Sequence, residues 1–148
     1  MNSVFDPSVR EKLIQRIELL SESSQPAWGE MNVSQMLRHC IRCEELYLGR
    51  RHHKRAFLGR LIGPTALKNL MKDERPLRRN APTSPAFIVK ETAGDVNHEK
   101  EDWISLIREY SNFDQPYFVH WFFGKMTREE LGRFVYKHTD HHLRQFQV

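Results

Sequence analysis

The stretch TREELGRFVYKHTDHHLRQF, residues 127–146, decides the predicted fold. Its first letters place Glu130 three residues after Thr127, which is the spacing of a capping box at the start of a helix. Apolar and histidine side chains then recur every three or four positions. This stripe, which we expect to face the core, comprises Leu131, Phe134, Val135, His138, His142 and Phe146. The spacing predicts a long amphipathic helix that runs nearly to the last residue, with Lys137 and Asp140 facing solvent.

Three earlier segments also show helical spacing. The first follows Asp6-Pro7, an N-cap residue before a proline at the first helical position, and ends within residues 21–26. The second begins at Asn32, where NVSQ is a variant of the capping box, and is expected to reach about Arg51. The third covers roughly residues 96–112. The pattern therefore predicts four helices.

About 45 residues separate the second predicted helix from the third, an uncommon length for a connection without a function. Residues 56–73 are expected to hold a short helix around TALKNLM, and residues 76–94 to be extended because prolines recur there. FIVK, residues 87–90, has the composition of a strand, but one strand makes no sheet. We therefore predict an all-α four-helix bundle with a long crossover between the second and third helices, forming one domain over residues 1–148.

Composition narrows the classes of function. The chain has 148 residues, of which 39% are hydrophobic and 28% charged, as in globular proteins. No apolar run approaches the roughly 18–20 residues of a membrane helix, and the first residues lack an apolar signal core, so we expect a cytoplasmic protein without a membrane partner. Basic residues cluster at residues 50–55 and 75–79, but no nucleic-acid recognition motif accompanies them, which disfavours nucleic-acid binding.

The histidines of the last helix indicate a metal site. His138 and His142 are four residues apart, so their rings lie on one face of the helix and can reach one ion. A third ligand must come from another helix, and His39 lies on the flank of the buried arc of the second helix. Three histidines with an open fourth position are typical of a catalytic rather than a structural site. His141, at the edge of the stripe, is an alternative ligand or a group that supports one, and polar core histidines without metal are the alternative to a site.

Cys40 and Cys43 form a CxxC pair, but in mid-helix and without a preceding strand. Redox-active pairs begin a helix after a strand, where the thiol pKa is lowered. Buried packing of two small side chains is therefore the favoured interpretation. A redox pair, or a half metal site formed by His39 and Cys43, are the alternatives.

Five motifs follow one another along nearly the whole chain: WGEM at residues 28–31, LRHC at 37–40, PTSP at 82–85, HWFFGKMT at 120–127 and KHTDHHLRQF at 137–146. This ordered set resembles the DinB/YfiT-like superfamily, and more narrowly a bacterial subfamily of unknown function. Trp121 departs from the resemblance, because the subfamily has proline there.

This resemblance implies a four-helix-bundle metalloenzyme whose divalent metal is held by His39, His138 and His142. The metal is zinc, nickel or iron, since imidazole suits each of them. It implies a small-molecule substrate and activation of a water or of a low-molecular-weight thiol, as in an S-transferase or a hydrolase. His120, His141 and Trp28 are then candidates for contacts to the ligands or the substrate.

Two further expectations and one alternative accompany this hypothesis. Arg50, Arg51 or Arg78 would bind the carboxylates of a thiol cofactor. Aromatic residues of the loop before the last helix, residues 118–123, would either cap the core or form a homodimer interface. The alternative to an enzyme is a non-catalytic helical module that binds a partner and keeps its histidines for structure.

Overall fold

A computed structural model describes residues 1–81 and 83–148 of the chain. Pro82, the first residue of the PTSP motif, lies outside the described residues. Five α-helices and one two-stranded sheet occur in the described part. Their bounds are α1 Pro7–Glu18, α2 Val33–Tyr47, α3 Phe57–Leu70, α4 Val96–Glu109, β1 Tyr117–His120, β2 Gly124–Thr127 and α5 Arg128–Gln145.

The prediction of an all-α four-helix bundle is wrong. β1 and β2 pair as an antiparallel hairpin, with Tyr117 opposite Thr127 and His120 opposite Gly124, so the fold combines helices with a small sheet. The short helix predicted around TALKNLM is a longer one, α3, which begins at Phe57 and has 14 residues. FIVK forms no strand, because Phe87 closes a 3-10 turn of residues 85–87.

Most of the predicted helix starts are confirmed. The side chain of Asp6 accepts from the amides of Ser8 and Val9 at the start of α1. Complete capping boxes begin α2, between Asn32 and Gln35, and α5, between Thr127 and Glu130. The predicted end of α2 is wrong by four residues: Leu48 caps the helix and Gly49 follows with a φ of 78°, which glycine adopts without strain.

The core lies between α1, α2, α4 and α5. α2 packs along α4, α1 contacts α4 and α5, and α2 contacts α5. Trp103 of α4 and Leu131 of α5 are fully buried there. The contact between α2 and α5 matters most for function, because these helices carry His39 and the paired histidines.

Lys137 does not face solvent as predicted. Its side chain is only 4% exposed, and its ammonium donates to the backbone carbonyls of Leu70, Asp73 and Arg75 at 2.8, 2.6 and 3.1 Å. These carbonyls lie at and just beyond the end of α3, where helical carbonyls lack intrahelical partners. Lys137 therefore attaches the crossover to α5. Asp140 is partly buried and pairs with Arg16 of α1 at 2.8 Å.

Candidate metal centre

Three histidines meet between α2 and α5. His39, His138 and His142 each offer a ring nitrogen, and these nitrogens all lie within 4.8 Å of one another. The ring centroids are 5.5 Å apart for His39 and His138, 4.9 Å for His39 and His142, and 4.8 Å for His138 and His142. This buried group could hold a metal ion, and it consists of the residues that the sequence spacing had selected.

The imidazole of His39 is fixed by the crossover. Its Nδ1 lies 2.9 Å from the carbonyl oxygen of Phe87. A carbonyl only accepts, so Nδ1 carries the proton and Nε2 is left with a free lone pair. The thiol of Cys43, 3.8 Å away, donates to that Nε2. A histidine whose outer nitrogen donates to a carbonyl is oriented as metal-bound histidines are.

The imidazole of His142 is fixed by a chain of two hydrogen bonds. The Nε2 amide of Gln145 donates to the carbonyl of Trp28 at 2.8 Å, which turns the Oε1 of Gln145 toward His142. Nδ1 of His142 lies 3.0 Å from that oxygen and donates to it. The Nε2 atom of His142 is therefore unprotonated as well.

His138 supplies the observation that tests whether a cation fits. Its Nδ1 is shielded from solvent and has no hydrogen-bond partner among the described residues. A buried polar nitrogen without a partner costs free energy. The Nε2 atoms of His39 and His142 carry lone pairs as well, although the thiol of Cys43 donates to the first of them. Three clustered imidazoles with this acceptor character fit a divalent cation, and zinc, nickel, iron and copper all accept imidazole.

Burial keeps the three rings neutral. Desolvation lowers the pKa of His39, lowers that of His138 well below its ordinary value, and lowers that of His142 to about 3. The charges of the neighbouring histidines add to the effect for each ring. Neutral imidazole is the form that binds metals, so no proton has to be displaced at neutral pH.

His141 and Trp28 lie beside this group rather than in it. The ring of His141 stands 5.1 Å from that of His142 and 5.8 Å from the indole of Trp28. Trp28 acts on His142 through its backbone carbonyl, while its ring carries the guanidinium of Arg79 at 4.1 Å. Gly29 adopts a φ of 80° next to it, and a Cβ there would lie 2.7 Å from the Gln145 amide.

His120 lies in the hairpin, where it fixes the turn. Its Nδ1 accepts from the amides of Phe122 and Phe123 at 3.1 and 3.2 Å. Its ring stacks on Phe123 with centroids 4.7 Å apart. Burial lowers its pKa to about 3. His120 therefore stabilises the hairpin turn, and its ring does not belong to the group of three clustered histidines.

The neighbouring aromatic side chains cap the core. Phe118, Trp121 and Phe123 are partly buried and pack against the hydrophobic cluster. Trp121 stands where the resembled subfamily has proline. Its ring packs against His53 and His120, with ring centroids 5.6 and 5.5 Å away.

Both cysteines are free and buried. Burial raises the pKa of Cys43 and raises that of Cys40 well above its ordinary value, with the neighbouring Glu44 adding to both shifts. A redox pair needs a lowered thiol pKa, so the structure favours the packing interpretation. Cys43 contacts His39 but does not belong to the group of clustered donors.

Two buried polar residues, Gln145 and Glu44, were not predicted from the sequence. Glu44 is fully buried in α2 and accepts from the hydroxyl of Tyr110 at 2.5 Å and from that of Thr139 at 3.5 Å. Burial raises its pKa to about 7. Its place four residues after Cys40, within the buried arc of α2, was a signal that could have identified it.

Neither of two clefts found at the surface of the described residues is lined by the three histidines. One, of about 220 Å³, lies beside Phe87 and is lined by Arg42, Leu46, Arg51, His52, His53, Ala86 and Phe87. Two of the three arginines expected to bind a cofactor already form ion pairs: Arg50 pairs with Glu109 at 2.6 Å, and Arg51 pairs with Glu45. Arg78 is exposed.

Comparison with known proteins gives one match. A family model described as protein of unknown function, DUF1569, matches residues 7–148. No curated protein and no solved structure matches the chain. None of the described helices is long and apolar enough to cross a membrane.

The expected membership of the DinB/YfiT-like superfamily is therefore wrong. The family that matches is a different one, and the hairpin with the fifth helix departs from a four-helix bundle. With nearly all of its residues matched, the chain belongs to the DUF1569 family of proteins of unknown function.

Proposed function

We propose that this protein is a divalent-metal-dependent enzyme in which His39, His138 and His142 hold the ion. The observation that carries the proposal is the convergence of three ring nitrogens from two helices within 4.8 Å. A bound metal would lower the pKa of a coordinated water or thiol and so provide a nucleophile at neutral pH. A hydrolase or a thiol transferase acting on a small molecule would use that chemistry.

The hydrogen-bond partners of two histidines, one backbone carbonyl and one side-chain amide, favour a preformed site. Phe87 and Gln145 each accept a hydrogen bond from the Nδ1 of one histidine. The Nε2 of that histidine is therefore already unprotonated, and its ring is already oriented. Substitution of such outer partners typically costs tenfold to a hundredfold in metal affinity. Binding would therefore need little reorganisation of α2 or α5.

The number of donors supports an exchangeable position. The clustered group contains three donors, and Cys43 lies outside it although it contacts His39. Structural zinc sites are closed by four protein ligands, whereas catalytic sites keep one position for water or substrate. Three histidines therefore favour catalysis over a purely structural role.

One observation favours the alternative, a non-catalytic module whose ion joins α2 to α5. Neither cleft described above is lined by the three histidines. A substrate would have to reach them past the partly exposed side of His138. A structural ion would bind without an exchangeable ligand.

Cobalt substitution separates these two candidates. We would load the metal-free protein with Co²⁺ and add a small thiol or azide while recording the visible and near-ultraviolet spectrum. A saturable spectral change is expected if one position exchanges. A cobalt spectrum that neither additive alters would contradict the enzyme proposal. The His138→Ala variant serves as the control for cobalt bound elsewhere.

A further inference from the structure

The first two turns of α3 present apolar side chains to solvent. Phe57, Leu58, Leu61 and Ile62 are 78%, 57%, 66% and 47% exposed. Residues at these spacings are neighbours on a helix surface, so the four side chains form one continuous patch. We call this patch the α3 apolar face. Clustered exposure of this kind marks an interaction surface, unlike single scattered apolar residues.

The opposite side of the helix fixes this orientation. Gly59 and Gly63 are buried against the turn of the hairpin, and a Cβ on either would lie 2.5 or 2.1 Å from the carbonyl oxygen of Phe122. No larger side chain fits between α3 and that backbone. Rotation of α3 about its axis to bury the apolar face would place larger side chains against the backbone at Phe122, where only glycine fits.

The charged side chains around the α3 apolar face are all positive. No aspartate or glutamate occurs between Glu45 and Asp73. Exposed basic side chains lie before, within and after the apolar face, at Lys54, Arg60 and Lys68. None of these three forms an ion pair among residues 1–81 and 83–148. The surface therefore combines exposed apolar area with uncompensated positive charge.

We propose that the α3 apolar face docks on an anionic phospholipid surface. The four apolar side chains would insert at the boundary between headgroups and acyl chains, and Lys54, Arg60 and Lys68 would contact lipid phosphates. Amphipathic helices with basic flanks lie in membrane interfaces in this way, and their binding grows with apolar area and with anionic lipid content. The expectation of no membrane partner rested on the lack of a spanning segment and of a signal core, and neither bears on a helix that lies on a membrane surface.

Charge decides between this partner and a second copy of the chain. A two-fold dimer through α3 would bring the same patch of each protomer together. The basic residues Arg60 and Lys68 of both protomers would then meet at one interface, with no acidic residue of α3 to compensate. An anionic lipid surface complements the same charges, so the structure favours it.

Vesicle co-sedimentation of the full-length protein tests the proposal. Vesicles of phosphatidylcholine containing phosphatidylglycerol are compared with vesicles of phosphatidylcholine alone, at low and at high salt. The wild type is expected to bind the anionic vesicles, and added salt to weaken the binding. Phe57→Ser/Leu61→Ser should lower the partition coefficient roughly a hundredfold, since burying each such side chain is worth about tenfold.

Two further variants sharpen the test. Arg60→Glu/Lys68→Glu should lower binding to anionic vesicles about tenfold or more. Ile88→Ser, which removes a large apolar side chain that is 51% exposed outside α3, should bind as the wild type does. Thermal melts check that each variant is folded; the altered side chains are exposed, so the melting temperatures should match.

Three results would overturn the proposal. The wild type could fail to sediment with anionic vesicles. It could bind both kinds of vesicle equally, which excludes an anionic surface as the partner. It could also form a dimer in sedimentation equilibrium that Phe57→Ser/Leu61→Ser dissociates while vesicles leave the protein unbound, which would identify a second copy as the partner.

Discussion

Single hydrogen-bond partners set the chemistry of individual histidines in this protein. Phe87 makes His39 protonated at Nδ1, whereas two backbone amides make His120 unprotonated at Nδ1. The first arrangement leaves Nε2 free as a donor to metal, and the second locks a turn. Two buried histidines therefore take different roles because their backbone partners differ.

His120→Phe should destabilise the protein at pH 7 and make it less sensitive to acid. Phenylalanine keeps the ring but leaves the amides of Phe122 and Phe123 without their acceptor, a loss of about 2 kcal/mol. The folded pKa of His120 is about 3, below the ordinary 6.5. The unfolded chain therefore binds the extra proton below about pH 6.5, and the wild type loses stability as the pH falls from there toward 3.

Urea unfolding of both proteins at pH 7, 6 and 5 measures this effect. The gap between their free energies of unfolding should close near pH 5, because each pH unit below 6.5 costs the wild type up to about 1.4 kcal/mol. His52→Phe is the control for the substitution itself, because His52 is exposed and its replacement should change the free energy of unfolding at pH 7 little. A gap for His120→Phe that stays constant with pH would contradict the assignment.

For single residues, the sequence predicts which histidines share a helix face better than it predicts their hydrogen-bond partners. His138 and His142 were identifiable because four residues make slightly more than one helical turn. Gln145 was not, because its role depends on Trp28, more than a hundred residues away. Lys137 was expected in solvent because nothing in its own helix shows that the end of α3 lies above it.

Among the elements, α3 and the hairpin form a unit that the sequence did not reveal. Each strand has four residues, too short for a clear alternating pattern. α3 contains Gly59, Gly63 and Pro64, which oppose helix formation. Packing overrides this weak propensity, since the two glycines let the helix backbone approach the turn at Phe122. The helices whose N-caps are visible in the sequence, α1, α2 and α5, were predicted close to their observed first residues.

Gly63→Ala should separate α3 from the hairpin. Alanine would favour an isolated helix by up to about 1 kcal/mol, but its Cβ would lie 2.1 Å from the carbonyl oxygen of Phe122. The clash outweighs the propensity, so we expect a net loss of about 1–3 kcal/mol. Urea unfolding measures the loss, and faster hydrogen exchange in residues 57–70 and 117–127 locates it.

Thr65→Ala is the matched control, because Thr65 is exposed on the same helix. That variant should be as stable as the wild type or slightly more so, since alanine is the better helix former. A Gly63→Ala variant that gained stability to the same degree would show that α3 does not lie on the hairpin turn.

Across the whole molecule, the candidate ligands connect distant parts of the chain. His39 and His142 are about a hundred residues apart and belong to helices that face each other across the core. The crossover contacts both of these helices. The carbonyl of Phe87 orients His39 of α2, and carbonyls of residues 70–75 accept from Lys137 of α5. An ion bound here would link the first and last parts of the fold through α2, α5 and the crossover.

The most direct test of a three-histidine metal centre is elemental analysis of the purified, untagged protein. The wild type is measured after loading with zinc or nickel and dialysis, beside His39→Ala, His138→Ala and the control His141→Ala. We predict about one divalent ion per chain in the wild type and in His141→Ala, and loss of the ion in the other two variants. A wild type that retains no metal, or His39→Ala and His138→Ala variants that retain it fully, would contradict the account.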